Sequence, residues 1–76
     1  MTLYERDACH LCDEARVLLD EMLGPDGYAR VDIESDDGLV LRYGFRIPVI
    51  GLDGTDRLEA PITAPDLRAL LAGLGS

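Results

Sequence analysis

Nine residues into the chain the hydrophobic period changes, and two cysteines stand at the change. Thr2, Leu3, Tyr4 and Glu5 make a short β-prone run that passes into the polar loop Arg6-Asp7-Ala8. From Cys9 the spacing becomes helical. Leu11, Ala15, Leu18, Leu19 and Met22 fall on one face, with Asp13, Glu14 and Arg16 on others, and Gly24-Pro25-Asp26-Gly27 stops the helix. A strand that turns within a few residues into a helix opened by Cys9-His10-Leu11-Cys12 restricts both the fold and the chemistry.

The remaining elements follow the same logic. Residues 28–33 alternate strictly, placing Ala29, Val31 and Ile33 on one face and Tyr28, Arg30 and Asp32 on the other, which predicts a second strand with one wet or edge-like face. Roughly 20 residues including a helix separate it from the first, so a right-handed crossover and a parallel pair are expected. Ser35-Asp36-Asp37 supplies an N-cap signal and first-turn acids for a short helix over Leu39, Val40, Leu41, Arg42 and Tyr43, stopped at Gly44. Residues 46–51 read as a third strand beginning at a proline. Leu52-Asp53-Gly54-Thr55 is a hairpin signal leading to an antiparallel fourth strand around Arg57, Leu58, Glu59 and Ala60. Thr63 ahead of Asp66, with Pro65 in the first turn, opens a last helix whose stripe Leu67, Leu70, Leu71 and Leu74 is assigned to the core. The order is β-α-β-α-β-β-α: an α/β fold with a four-stranded mixed sheet flanked by helices.

Size and charge set the class. The chain has 76 residues, read as one domain over 1–76, and 47% of them are hydrophobic. A domain of this size hides only about 60% of its unfolded surface, so modest stability is expected from a core that includes the aromatics Tyr4, Tyr28, Tyr43 and Phe45. Fifteen acidic against seven basic side chains give a net charge of −8. Such a chain repels phosphate backbones and anionic lipid, so no nucleic-acid or membrane partner is expected, and a neutral or basic partner surface is. The apolar runs are short and Met1 leads straight into a strand, which points to a cytoplasmic protein without a targeting segment. Two closely spaced cysteines do not make the disulfide scaffold of a secreted miniprotein, and the small loop they would close stabilises little. A redox switch is the better reading.

Residues three apart in the first turn of a helix face the same way, so the sulfurs of Cys9 and Cys12 can meet with little backbone movement. Cys9, at or beside the N-cap, lies where free N–H groups and the positive end of the helix dipole favour an anion. Only a thiolate attacks a disulfide, and this environment lowers thiol pKa values. Cys9 is therefore the candidate nucleophile and Cys12, one turn deeper, the resolving thiol. Protonated His10 would favour the thiolate. Glu5, Asp7, Asp13 and Glu14 against Arg6 and Arg16 oppose it unless the acids point away, so a reducing or intermediate potential is expected.

Cys9-x-x-Cys12 in this position, the order of elements, and Arg46-Ile47-Pro48-Val49 opening the third strand together resemble the thioredoxin superfamily, and within it the small glutaredoxin-like proteins. The resemblance spans essentially the whole chain. It implies a thioredoxin-like fold, a cis bond between Ile47 and Pro48 beside the sulfurs, and an Ile47 backbone offered to an extended substrate. His10, Leu11, Arg46, Ile47 and Pro48 are the corresponding substrate-binding candidates. The chain also departs from the family pattern. Typical glutaredoxins carry a proline or glycine inside Cys-x-x-Cys, a threonine before Val-Pro, and a Gly-Gly-Ser/Cys-Asp segment that holds a glutathione carboxylate. Here the counterparts are His10-Leu11, Arg46 and residues 58–63, with Glu59 nearby and Pro65 lacking an N–H, so glutathione would meet fewer donors and more repulsion. Arg46 is a substitute carboxylate anchor on this reading.

The expected activity is dithiol–disulfide exchange on a disulfide-containing protein or small thiol substrate, with no bound cofactor or metal and with glutathione or a flavoprotein disulfide reductase as reductant. A redox-inactive binding module using the groove beside Pro48 is the competing class. At the level of single residues, the cysteines could be buried hydrophobes, and Cys9, His10 and Cys12 as a metal site lack a fourth ligand. Asp36, Asp37, Asp53 and Asp56 read as solvated caps and turns, with Arg42 and Arg46 as their ion-pair partners.

Overall fold

A computed structural model describes residues 1–74. Strands β1 (Thr2–Glu5), β2 (Ala29–Asp32), β3 (Val49–Leu52) and β4 (Thr55–Glu59) form one sheet in the order β2-β1-β3-β4. β1 and β2 are parallel, while β3 runs antiparallel to both β1 and β4. Helices α1 (His10–Leu23), α2 (Asp37–Tyr43) and α3 (Ala64–Leu74) complete the α/β fold, and a 3-10 turn over Ile33–Ser35 precedes α2. This is the thioredoxin-like arrangement read from the sequence.

The two faces of the sheet have separate cores. Leu3 and Ile50, cross-strand partners, meet Ala15 and Leu19 of α1 and Leu67 of α3 on one face, with Leu58, Ile62 and Leu70 packed around them. On the other, Ile33, Tyr43 and Val49 are buried with Tyr4, Leu39 and Ile47 against them. The residues flanking β2 follow the same division: Tyr28, just before it, belongs to the first cluster and Ile33, just after it, to the second.

Local chemistry sets the boundaries. Cys9 caps α1 with its sulfur, and Gly24 ends it at φ 81°, a left-handed angle open to glycine. Asp53 (φ 52°) and Gly54 (φ 78°) make the tight hairpin that their sequence signals. The Thr63 hydroxyl accepts from the Asp66 N–H at 3.3 Å to open α3. Gly51 lies close to Tyr4: a Cβ there would stand 3.2 Å from the ring, a tight contact.

Several local expectations are corrected. Asp36, not Ser35, caps α2: its carboxylate accepts from the Gly38 N–H at 2.7 Å, and the Ser35 hydroxyl instead donates to the Asp32 carbonyl. The third strand begins at Val49 rather than Arg46, because the N–H groups of Arg46 and Ile47 donate back to the Tyr43 carbonyl and Pro48 has none to give. The second strand ends at Asp32, where Ile33 enters the 3-10 turn. Leu11 is 44% exposed, because the buried stripe of α1 is Cys12, Ala15 and Leu19. Leu74 is exposed at the end of α3, and Phe45, counted as a core aromatic, lies wholly in solvent.

Candidate active site

The register of the sheet gathers the sequence-predicted residues at one end. Tyr4 pairs with Val49, so Pro48, the residue before Val49, lies level with Glu5 at the end of β1, where the chain turns toward Cys9. Val49 also pairs with Glu59, which brings Ala60 and Pro61 to the same end, and the Ala60 N–H donates to the Arg46 carbonyl at 3.3 Å. The Ile47–Pro48 and Ala60–Pro61 bonds are both cis. Ala8, at φ 55°, turns the loop into the N-cap of α1.

Cys9 and Cys12 are disulfide-bonded, with Cα atoms 5.2 Å apart. Their environments differ. Cys9 is partly exposed in an extended conformation, and its sulfur accepts the Cys12 backbone N–H at 3.2 Å. Cys12 is fully buried on the α1 face that packs against the sheet. The cysteine that solvent can reach is thus also the one receiving a helix N-terminal donor, the arrangement that stabilises a thiolate. The thiols are not simply two buried hydrophobes.

The acids near the cysteines are mostly engaged. Glu5 is buried at the end of β1, and its carboxylate takes Arg16 Nη1 of α1 at 3.4 Å and Arg30 Nε of β2. Arg16 also reaches Asp13 at 2.8 Å. His10 is exposed and lies 3.3 Å from Glu14, a charged pair when the imidazole is protonated. Hydrogen bonding to Glu5 raises the Arg30 pKa further.

Arg46 sits elsewhere in the electrostatics than a ligand anchor would. Its Nε donates to Glu59 at 2.7 Å, its Nη2 to Asp56 at 3.1 Å and its Nη1 to the Arg42 carbonyl at 3.5 Å. An incoming carboxylate would have to displace Glu59 or Asp56 from this guanidinium. Asp56 is therefore a half-buried hub rather than the solvated turn residue expected: it also accepts the Tyr43 hydroxyl at 2.9 Å and lies 3.8 Å from Arg42. The Arg42 and Arg46 guanidinium groups stand 5.2 Å and 5.3 Å from the Tyr43 ring, which stacks on Tyr4 with centroids 4.4 Å apart. Burial and the Asp56 hydrogen bond push the Tyr43 hydroxyl up to about 12. Burial alone would raise Asp56, but the hydrogen bonds from Tyr43 and Arg46 outweigh it and hold the carboxyl below its ordinary value.

Sequence reading missed Glu5, Tyr43 and Asp56. Strand alternation from the buried Leu3 already places Glu5 on the same face, a signal that such a carboxylate needs cationic partners. Nothing in the chain marks the Tyr43–Asp56 contact, which joins residues thirteen apart across two strands and a helix end.

Solved structures share this arrangement. The X-ray structure of Northeast Structural Genomics target protein XcR50 from X. campestris superposes with a TM-score of 0.81 at 40% identity, covering 95% of each chain. Its solution structure gives 0.77 at 40% identity, covering 95% of this chain and 91% of that one. No curated protein matches the chain. The family model described as Glutaredoxin-like domain (DUF836) matches residues 1–72, and the chain belongs to that family.

Proposed function

We propose that the protein is a dithiol–disulfide oxidoreductase with Cys9 as nucleophile and Cys12 as resolving thiol. The observation that carries the reading is the asymmetry of the pair, a reachable sulfur at a helix N-cap and a buried one a turn deeper. In the reduced protein the Cys9 thiolate attacks a substrate disulfide, forming a mixed disulfide and releasing one substrate sulfur, which takes up a proton. The Cys12 thiolate then attacks the Cys9 sulfur. The second substrate thiol leaves, the Cys9–Cys12 disulfide forms, and two electrons have passed to the substrate. Glutathione or a flavoprotein disulfide reductase returns them. On this reading the substrate lies beside Ile47, next to the fully buried Pro48 at the same end of the sheet, with the exposed His10 and Leu11 at the start of α1 as its further contacts.

The test is trapping. Cys12→Ser incubated with hydroxyethyl disulfide should accumulate a mixed disulfide on Cys9, visible in the intact mass, while Cys9→Ser should lose turnover. Equal activity of the two variants would end the assignment. A redox-inactive binding module is the second reading, favoured by the wholly exposed Phe45 three residues before Pro48. The pH dependence of Cys9 alkylation separates the two: titration well below about 8.5 fits the enzyme, and titration at or above it fits the module.

A further inference from the structure

One surface beside the site is absorbed neither by the core nor by the redox pair. A groove of about 480 Å³, open to solvent, runs along α1 from Asp13, the residue after Cys12, through Glu14, Val17 and Leu18 to Glu21, and Ile62 flanks it from the segment after Pro61. Its floor is aliphatic: Val17 is 53% exposed, and Leu18 and Ile62 are partly exposed. Its polar side chains are all carboxylates. Asp13 is paired with Arg16 and Glu14 reaches only His10, while Glu21 has no partner among the described residues.

We infer that this groove docks a segment of the disulfide-bearing partner protein that carries aliphatic side chains together with lysine or arginine. The inference rests on the dithiol reading and names its substrate class. Aliphatic contacts would cover Val17, Leu18 and Ile62, and the basic groups would meet Glu14 and Glu21. A net charge of −8 disfavours a second copy of this chain on an acidic groove and steers a cationic partner toward it. The groove begins at Asp13, one helical turn after Cys9, whose carbonyl accepts the Asp13 N–H at 3.0 Å, so a segment seated in it brings its neighbouring disulfide to Cys9.

The test uses two synthetic disulfide peptides, identical except that one carries Lys and Leu and the other Glu and Leu beside the cysteine. The wild-type protein should reduce the basic peptide with kcat/KM about tenfold higher at low salt, and the advantage should shrink as ionic strength rises. Val17→Lys with Glu21→Lys, both on the exposed side of α1, should bring the two peptides within about twofold. Equal rates in the wild type, or an undiminished preference in the variant, would overturn the inference. Hydroxyethyl disulfide, neutral and too small to fill the groove, reports the Cys9 chemistry alone, and its failure to react would count against the dithiol reading instead. In that event a cysteine-free Lys/Leu peptide titrated onto the oxidised protein decides: amide shifts at Val17, Leu18 and Ile62 support docking, and their absence ends it.

Discussion

The sheet face under α1 and α3 is closed mainly by aliphatic side chains, with Tyr28 at its margin, whereas the face under α2 combines Ile33 and Val49 with stacked tyrosines, one of which is held by hydroxyl and ring in a lattice of carboxylates and guanidinium groups. The mainly aliphatic face is held chiefly by exclusion of water, and α1, with Cys9 and Cys12 at its first turn, is fastened there. The aromatic face has few apolar side chains available, since α2 has only seven residues and leaves Leu41 89% exposed. Hydrogen bonds and ion pairs hold the Arg46–Ile47 segment in its place. A small domain thus divides the labour: the hydrophobic effect anchors the helix that carries the cysteine pair, and directional contacts position the Arg46–Ile47 segment.

This contrast is open to direct attack. Leu19→Ala, in the middle of the aliphatic face, should lower unfolding stability by about 2–5 kcal/mol in urea titrations, the largest loss of the series. At the border of the two regions, Arg16→Ala with Arg30→Ala leaves the Glu5 carboxylate buried without a cation. That double change should lose about 1–3 kcal/mol, more than either single substitution, because the remaining arginine in each single variant still serves Glu5. A double variant as stable as wild type would show that Glu5 is rehydrated at no cost.

On the aromatic face the effects should be smaller and pH-dependent. Tyr43→Phe removes one hydrogen bond to Asp56 and should lose about 1 kcal/mol near neutrality. The signs follow from linkage. Asp56 is held below its ordinary value in the folded protein, so its contribution is present above about pH 4 and fades as pH falls through the folded value, when the native carboxylate takes up its proton. Tyr43 keeps its proton to about 12, so its contribution is complete below pH 10 and fades as pH rises from 10 toward 12, where the unfolded tyrosine ionises first. Tyr28, raised to about 12 by burial and by its hydrogen bond to Asp20, adds to the same alkaline loss. Urea titrations of wild type and Tyr43→Phe at pH 3, 7 and 11 should therefore show the gap between them narrowing at both extremes. The least effect belongs to Phe45→Ser, which should stay within about 0.5 kcal/mol of wild type because the ring covers nothing.

Most elements were legible because their signals are local. The switch from period two to period 3.6 at Cys9, the Asp53-Gly54 turn and the Thr63 cap each act within a few residues, and the structure places β1, α1, the β3–β4 hairpin and α3 accordingly. Errors arose where a local rule met a competing tertiary partner. Ser35 and Asp36 are both good caps, and the Ser35 hydroxyl was drawn to the Asp32 carbonyl instead. Leu11 fits the helical stripe by spacing, yet the axis of α1 turns Cys12 inward in its place. Phe45 is apolar but follows the end of α2, where no second layer reaches it.

Composition and spacing by themselves determined the order of strands and helices, the placement of two sulfurs on one helical turn, and the acidic balance of the chain, because each depends on neighbours along the chain or on a sum over it. Only the folded molecule decided which sulfur meets solvent, which of the candidate acids Arg46 pairs with and that Glu59 joins Asp56 there, and that Glu5 lies buried between two arginines. Those outcomes hang on the register of β1 against β2 and β3 and on the docking of α1, which bring together groups far apart in sequence and set the burial that gives each charge its partner.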